Sequence, residues 1–236
     1  MRKLQPGLVV LVLLWAACQV EAGFVVTPGP SVSLNVLPFG GTDDVRYQQV
    51  YAASLFTDAG VTGPIEITGF GFSPNNSGTY TADVAIRLNQ TTASVGALST
   101  TLDDNINGSL TTVFHDPSFS LDVIGGDLTY TLRFGFSSSP FLYDPTTGQN
   151  LLLDMVVRDK TDGWAVWRGG DTGVTSRATD GFSDRLGLRT LIEFQPASVT
   201  AVPEPSSLIL CLTGLVSASI GYGWRRRRSA LPVPQE

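Results

Sequence analysis

Two constellations in this chain carry side chains suited to binding chemistry. In Asp103-Asp104-Asn105-Ile106-Asn107-Gly108 the residues Asp103, Asn105 and Asn107 alternate around a glycine turn, the D-x-[DN]-x-[DN]-G order that gathers oxygen ligands for a hard cation such as calcium. The twelfth position is Phe114, where an EF-hand needs a bidentate Glu, and no helical pattern flanks the loop. An EF-hand is therefore excluded. Two readings stay open: a calcium site completed by a distant carboxylate, or an Asx-rich turn whose side chains bond their own backbone. The second constellation is Asp162 to Asp171, which sets Trp164 and Trp167 beside glycine turns and carboxylates. Strand alternation sends these two rings to opposite faces. One then fills the core while the other, flanked by Arg168 and Asp171, offers a flat face to the apolar side of a sugar. Packing of both rings is the competing reading.

Catalytic sets are hard to assemble from what remains. The single histidine, His115, is followed by Asp116, and alternation points neighbouring side chains to opposite faces, so the pair does not read as a base with its orienting carboxylate. Gly-x-Ser-x-Gly is absent, and no glycine-rich loop leads from a strand into a helix to cradle phosphate. Both cysteines, Cys18 and Cys211, fall in apolar terminal segments. The domain between them has no disulfide, thiol nucleophile or thiolate metal site. The expectation is a non-catalytic domain with no cofactor, calcium at the Asp103 loop excepted.

The elements that must position these residues read as strands. Short runs of alternating polarity, broken by Gly, Pro, Asn and Asp, recur from Ser31 to Phe194, and no long stretch keeps a 3.6-residue period. Val84, Ile86 and Leu88 share one face against Asp83, Arg87 and Asn89. Tyr130, Leu132, Phe134 and Phe136 repeat the pattern, as do Phe119, Leu121 and Val123, and Leu188, Thr190, Ile192 and Phe194. The phase changes between Ile65/Ile67 and Phe70/Phe72, which predicts a bulge at Gly69. Leu151 to Arg158 is apolar on both parities, as in a strand covered on both sides, and Val45 to Phe56 reads as one long strand. Eight to ten strands of this kind predict an all-β fold, an antiparallel β-sandwich of jelly-roll type. A β-helix would show a fixed short repeat, and there is none.

Both ends of the 236-residue chain carry address-like segments. Arg2 and Lys3 precede the apolar run Leu8 to Trp15, which is too short to span a bilayer, and small residues follow. This reads as a signal peptide, 1–22, with signal peptidase expected to cut after Ala22. The domain 23–200 then carries 18 acidic and 9 basic residues, a net charge of −9 that disfavours nucleic acid as a partner. Near the other end, Val202-Pro203-Glu204-Pro205 leads into the uncharged run Leu208 to Trp224, whose 17 residues span about 26 Å as a helix, enough for a thin hydrocarbon layer. Arg225, Arg226, Arg227 and Arg228 close it and are expected to stop transfer and stay cytoplasmic with the tail 229–236.

The order tripeptide, helix, basic cluster resembles the PEP-CTERM sorting signal of bacterial surface proteins, also known as an ice-binding-protein C-terminal domain, over residues 201–228. The resemblance carries no implication about ice. It implies recognition by an exosortase, a membrane protease that cleaves near the tripeptide. The chain would then cross the inner membrane, rest briefly on its C-terminal helix, and end at the cell surface or outside. Arg46 to Ala53, and Phe141 to Pro145 with Leu151 to Asp154, are similar to stretches of other ectodomains bearing this signal. The expected role is structural, in the cell surface or extracellular matrix. The alternatives are a carbohydrate-binding module for exopolysaccharide and, further off, a secreted hydrolase.

Overall fold

The computed structural model describes residues 22–27, 31–35, 37–40, 43–74, 77–124, 130–136, 138–161, 166–169 and 173–197. The expected signal peptide up to residue 21, the sorting signal with its helix 208–224, and Trp164 lie outside the described residues, and Trp167 is described in its backbone alone.

Thirteen strands occur among the described residues, and every strand pairing is antiparallel. They are β1 (Gly23–Val26), β2 (Ser31–Asn35), β3 (Val45–Tyr51), β4 (Ile65–Phe72), β5 (Gly78–Thr91), β6 (Thr111–Val123), β7 (Leu132–Gly135), β8 (Phe141–Tyr143), β9 (Asn150–Arg158), β10 (Val166–Gly169), β11 (Thr175–Thr179), β12 (Phe182–Asp184) and β13 (Thr190–Pro196). A five-stranded sheet runs β1-β13-β4-β7, with β8 paired to the first part of β4. A six-stranded sheet runs β12-β11-β3-β9-β5-β6, and β10 with β2 forms a separate ribbon. The all-β, antiparallel expectation is met. The strands outnumber the eight to ten expected: β8 and β12 have three residues each, too few for alternation to show in a sequence, and β1 precedes the runs read from Ser31 onward.

Alternation fixes what each sheet buries. Val84, Ile86 and Leu88 of β5, Leu151, Leu153, Met155 and Val157 of β9, and Tyr47 and Tyr51 of β3 lie in one core with Ile67, Phe70 and Phe72 of β4, Leu132 and Phe134 of β7 and Ile192 of β13. Side chains of the two sheets therefore meet in a shared interior. Phe134 stands at its centre, 5.0 Å from the Phe119 ring, 5.5 Å from Phe114 and 6.1 Å from Phe72. Such ring pairs add about 0.5–1.5 kcal/mol each beyond their buried area, a useful supplement in a domain without disulfides. Lys160 closes one end, its buried Nζ donating to the carbonyls of Pro38 and Gly40 at 3.3 and 3.1 Å beside the buried ring of Phe39.

The bulge expected at Gly69 is present. Glu193 pairs with Gly69 and Phe194 with Ile67, so Thr68 is the extra residue, and Ile65, Ile67, Phe70 and Phe72 all reach the core across the phase change. A second irregularity interrupts β6, the end strand of its sheet: Ala82 pairs with Phe119 and Val84 with Asp116, which leaves two residues, Pro117 and Ser118, facing one. One expectation is corrected. The strand predicted from Val45 to Phe56 ends at Tyr51, and Ser54–Thr57 form a helical turn, α1. The fold needs that turn because Phe56 must swing over the open end of the core, where its ring lies 5.0 Å from Tyr143 and 6.5 Å from Phe194.

Burial raises the pKa of Tyr51 well above the ordinary phenol value, against the pull of its hydrogen bond to Thr190, and burial likewise raises those of Tyr80 and Tyr143. The folded state thus holds these protons more tightly than the unfolded chain. Their contribution is complete below the unfolded phenol pKa of about 10 and is lost as pH rises toward the folded values. Titration followed by phenolate absorbance should show these three tyrosines ionising together with loss of structure above about pH 10. Ionisation of all six tyrosines with the sheet signal intact would contradict the packing described.

Candidate functional site

The covered character of β9 has a charged residue at its centre. Leu151, Leu153, Met155 and Val157 face the core, so Leu152, Asp154 and Val156 face outward, yet Leu152 and Asp154 are both fully buried. A dry carboxylate is tolerated only when its oxygens are filled by donors. Those of Asp154 are filled from the neighbouring strands. On β3, Arg46 gives Nε and Nη2 to Oδ2 at 3.0 and 2.8 Å, and Gln48 adds Nε2 at 2.7 Å. On β5, Arg87 gives Nε to Oδ1 at 3.2 Å and also reaches that oxygen through Nη2. Register explains the convergence, since Gln48 and Arg87 are the direct cross-strand partners of Asp154 and Arg46 is one step diagonal.

The cover over this face is the connection between β5 and β6. Leu98 and Leu102 pack on Val50, Leu152 and Ala178. Outward-facing polar residues of the sheet bind the connection's backbone: Asn89 donates to the carbonyls of Asn107 and Ser109 at 2.9 Å each and accepts from Asn107 N at 3.0 Å, and Thr91 donates to Asn105 O at 2.7 Å. The calcium candidates lie in this connection, on and after a 3₁₀ turn, Leu102–Asn105. Asn105 is buried, donating from Nδ2 to Gln48 Oε1 at 2.8 Å and to Ser99 O at 2.9 Å while Oδ1 accepts from Ser99 N at 2.8 Å. Asp103 is exposed and accepts from Arg46 Nη1 at 2.8 Å, and Asn107 is exposed. The alternating motif thus joins its loop to the Asp154 cluster through two of its three members. Among the described residues no group of three or more His, Cys, Asp or Glu side chains is placed to hold a metal ion.

The electrostatics follow the geometry. Burial works against the charge of Arg46, but the hydrogen bonds it donates to Asp154 and Asp103 and their negative charges outweigh it and hold its pKa above the ordinary value. Where the cover ends, the outer face of the six-stranded sheet opens into a cleft of about 400 Å³ bounded by Asp44, Val45, Arg46, Arg87, Val156 and Arg158. Arg158 is exposed there, and no acceptor holds its guanidinium among the described residues. Asp44 spends one oxygen on the backbone N–H of Asp159, at 3.3 Å. Further along the same face, His115 turns from its neighbour Asp116 to Asp83, with Nε2 and Oδ1 3.1 Å apart.

The cluster around Asp154 was not singled out from the sequence, though it left a signal. An aspartate inside Leu-Leu-Leu-Asp-Met-Val-Val, a run apolar on both parities, has no wet face to occupy and must find cations. Trp164, the sorting tripeptide and Arg225–Arg228 lie outside the described residues, and no side-chain position is given for Trp167. Among the described residues no helix is long and apolar enough to cross a membrane. Compared with known families, residues 201–228 match the PEP-CTERM protein-sorting motif. No curated protein matches the chain.

Asp154→Asn is expected to lower the free energy of unfolding by about 3 kcal/mol, the low end for breaking a buried ion pair, because the arginine side chains keep 26 % and 28 % of their surface in water. Urea denaturation measures it, and a change within experimental error would show that the cluster is dispensable. For the Asp103 loop, Asn105→Ala should cost about 1–3 kcal/mol, since it strands Gln48 and Ser99. Melting temperatures in calcium and in chelator should coincide, because Arg46 already occupies Asp103; a calcium-dependent rise abolished by Asp103→Asn would instead assign the loop to a cation.

Proposed function

We propose that the domain 23–200 is a non-catalytic structural module of the cell surface or extracellular matrix, a β-sandwich of jelly-roll type. It is exported behind its signal peptide, held by the helix 208–224 and cleaved near Pro203-Glu204-Pro205. The observation that carries this reading is the PEP-CTERM protein-sorting motif at residues 201–228, which implies recognition by an exosortase and export with sorting at a membrane. A structural role fits how the described polar groups are spent. Asp154, Arg46, Gln48 and Asn105 bond one another and hold a loop to a sheet, and His115 rests on Asp83.

Saccharide binding is the second reading, and a specific observation favours it: the open cleft at Arg158, with the outward-facing Val156 on its wall. It does not depend on Trp164 or Trp167.

Mass spectrometry of the protein recovered outside the producing cells tests the first reading. The C-terminus should fall within residues 202–207, and Glu204→Ala should leave a membrane-associated form that retains Trp224. If the unaltered chain keeps Trp224 at its destination, processing is ruled out and the helix is a permanent anchor.

A further inference from the structure

The cleft on the outer face of the six-stranded sheet has a composition at odds with the domain around it. Acidic residues outnumber basic ones two to one over 23–200, yet this cleft gathers Arg46, Arg87 and Arg158 against a single lining carboxylate, Asp44. The guanidiniums differ in what they have left to give. Arg46 commits all three nitrogens to Asp154 and Asp103. Arg87 spends Nε and Nη2 on Asp154, which fixes its plane and leaves Nη1 without an acceptor among the described residues. Arg158, at the end of β9, lines the same cleft and is exposed. A guanidinium oriented by a buried carboxylate is already organised, so less is lost when it binds a second anion.

Between the arginines lies the outward-facing side chain of Val156, while Val45, the cross-strand partner of Val157, borders the cleft with its side chain packed on the core. A volume of about 400 Å³ suits a small ring-sized group. The strands beneath, β3, β9 and β5, are all interior to the sheet. Their backbone groups are engaged in ladders, so an extended peptide finds no free edge to join, and recognition must come from side chains alone. We propose that this cleft binds a carboxylate-bearing saccharide, its carboxylate held by Arg158 and Arg87 Nη1 and the C–H face of its ring laid on Val156. The planar fork of a guanidinium matches a carboxylate, and the aliphatic side chain of Val156 matches the apolar face of a pyranose. This inference rests on the saccharide-binding reading and narrows it to acidic sugars.

The test is native-gel retardation of the exported protein, purified from the producing cells, by polygalacturonate, by dextran and by poly-glutamate. Polygalacturonate should retard it. Arg158→Gln should weaken that binding by about tenfold or more, as expected for losing a hydrogen bond to a charged group, while melting at the same temperature as the parent. Binding should also collapse at about 1 M sodium chloride, where the screening length falls to about 3 Å. Retardation by dextran as strong as by polygalacturonate, and insensitive to Arg158→Gln, would keep a saccharide-binding role while overturning the acidic-sugar assignment. No retardation by either saccharide would end both. Equal binding to poly-glutamate, or polygalacturonate binding unchanged in Arg158→Gln, would also overturn the assignment.

Discussion

Asp154 is the constraint around which one whole side of this domain is organised. A carboxylate removed from water costs several kcal/mol unless its lone pairs are filled, and here donors arrive from both neighbouring strands. Each donor then needs a setting of its own. Gln48, turned toward Asp154, presents its carbonyl oxygen to Asn105; Arg46, stretched across the same carboxylate, presents a spare nitrogen to Asp103. One charge therefore ties three strands together and seats the loop that covers them. The apolar contacts of Leu98 and Leu102 with Leu152 follow from that seat.

The opposite face answers to packing and to a few buried polar bridges. With no cysteine available, stability comes from aromatic rings that interlock between the sheets and from polar groups that close the seam. Gln49 illustrates the second device. It points into the interior, accepts from Leu188 N at 2.6 Å and donates to Leu188 O at 3.0 Å, so that a buried amide replaces a missing ladder between β3 and the approach to β13. Gly187 is required beside it, because a Cβ there would stand 2.9 Å from both Gln49 Cδ and Thr175 Cβ.

Much of this was legible in the residues. Parity gave the faces of β5, β7 and β13, the break in parity gave the bulge on β4, and apolar density on both parities gave the double cover of β9. The helical turn at Ser54–Thr57 was not legible, because Phe56 is placed by Tyr143 and Phe194, far off in sequence. The Asp103 motif shows the same limit from the other side. Its spacing suits oxygen ligands, but spacing cannot tell whether those groups turn toward an ion or toward a sheet. In the structure Asn105 turns to Gln48 and Asp103 to Arg46. Arg46, Arg87 and Asp154 stand on three separate strands, and only pairing brings them together.

The interruption at Pro117 has a bearing on how copies of the domain meet. β6 is thirteen residues long and ends its sheet, which would make it a template for strand addition by a neighbouring copy. Proline removes one amide donor there, the extra residue twists the strand, and Asp116 takes the amide of Ser118 at 2.9 Å. Strand addition by a second copy along this border is thereby hindered.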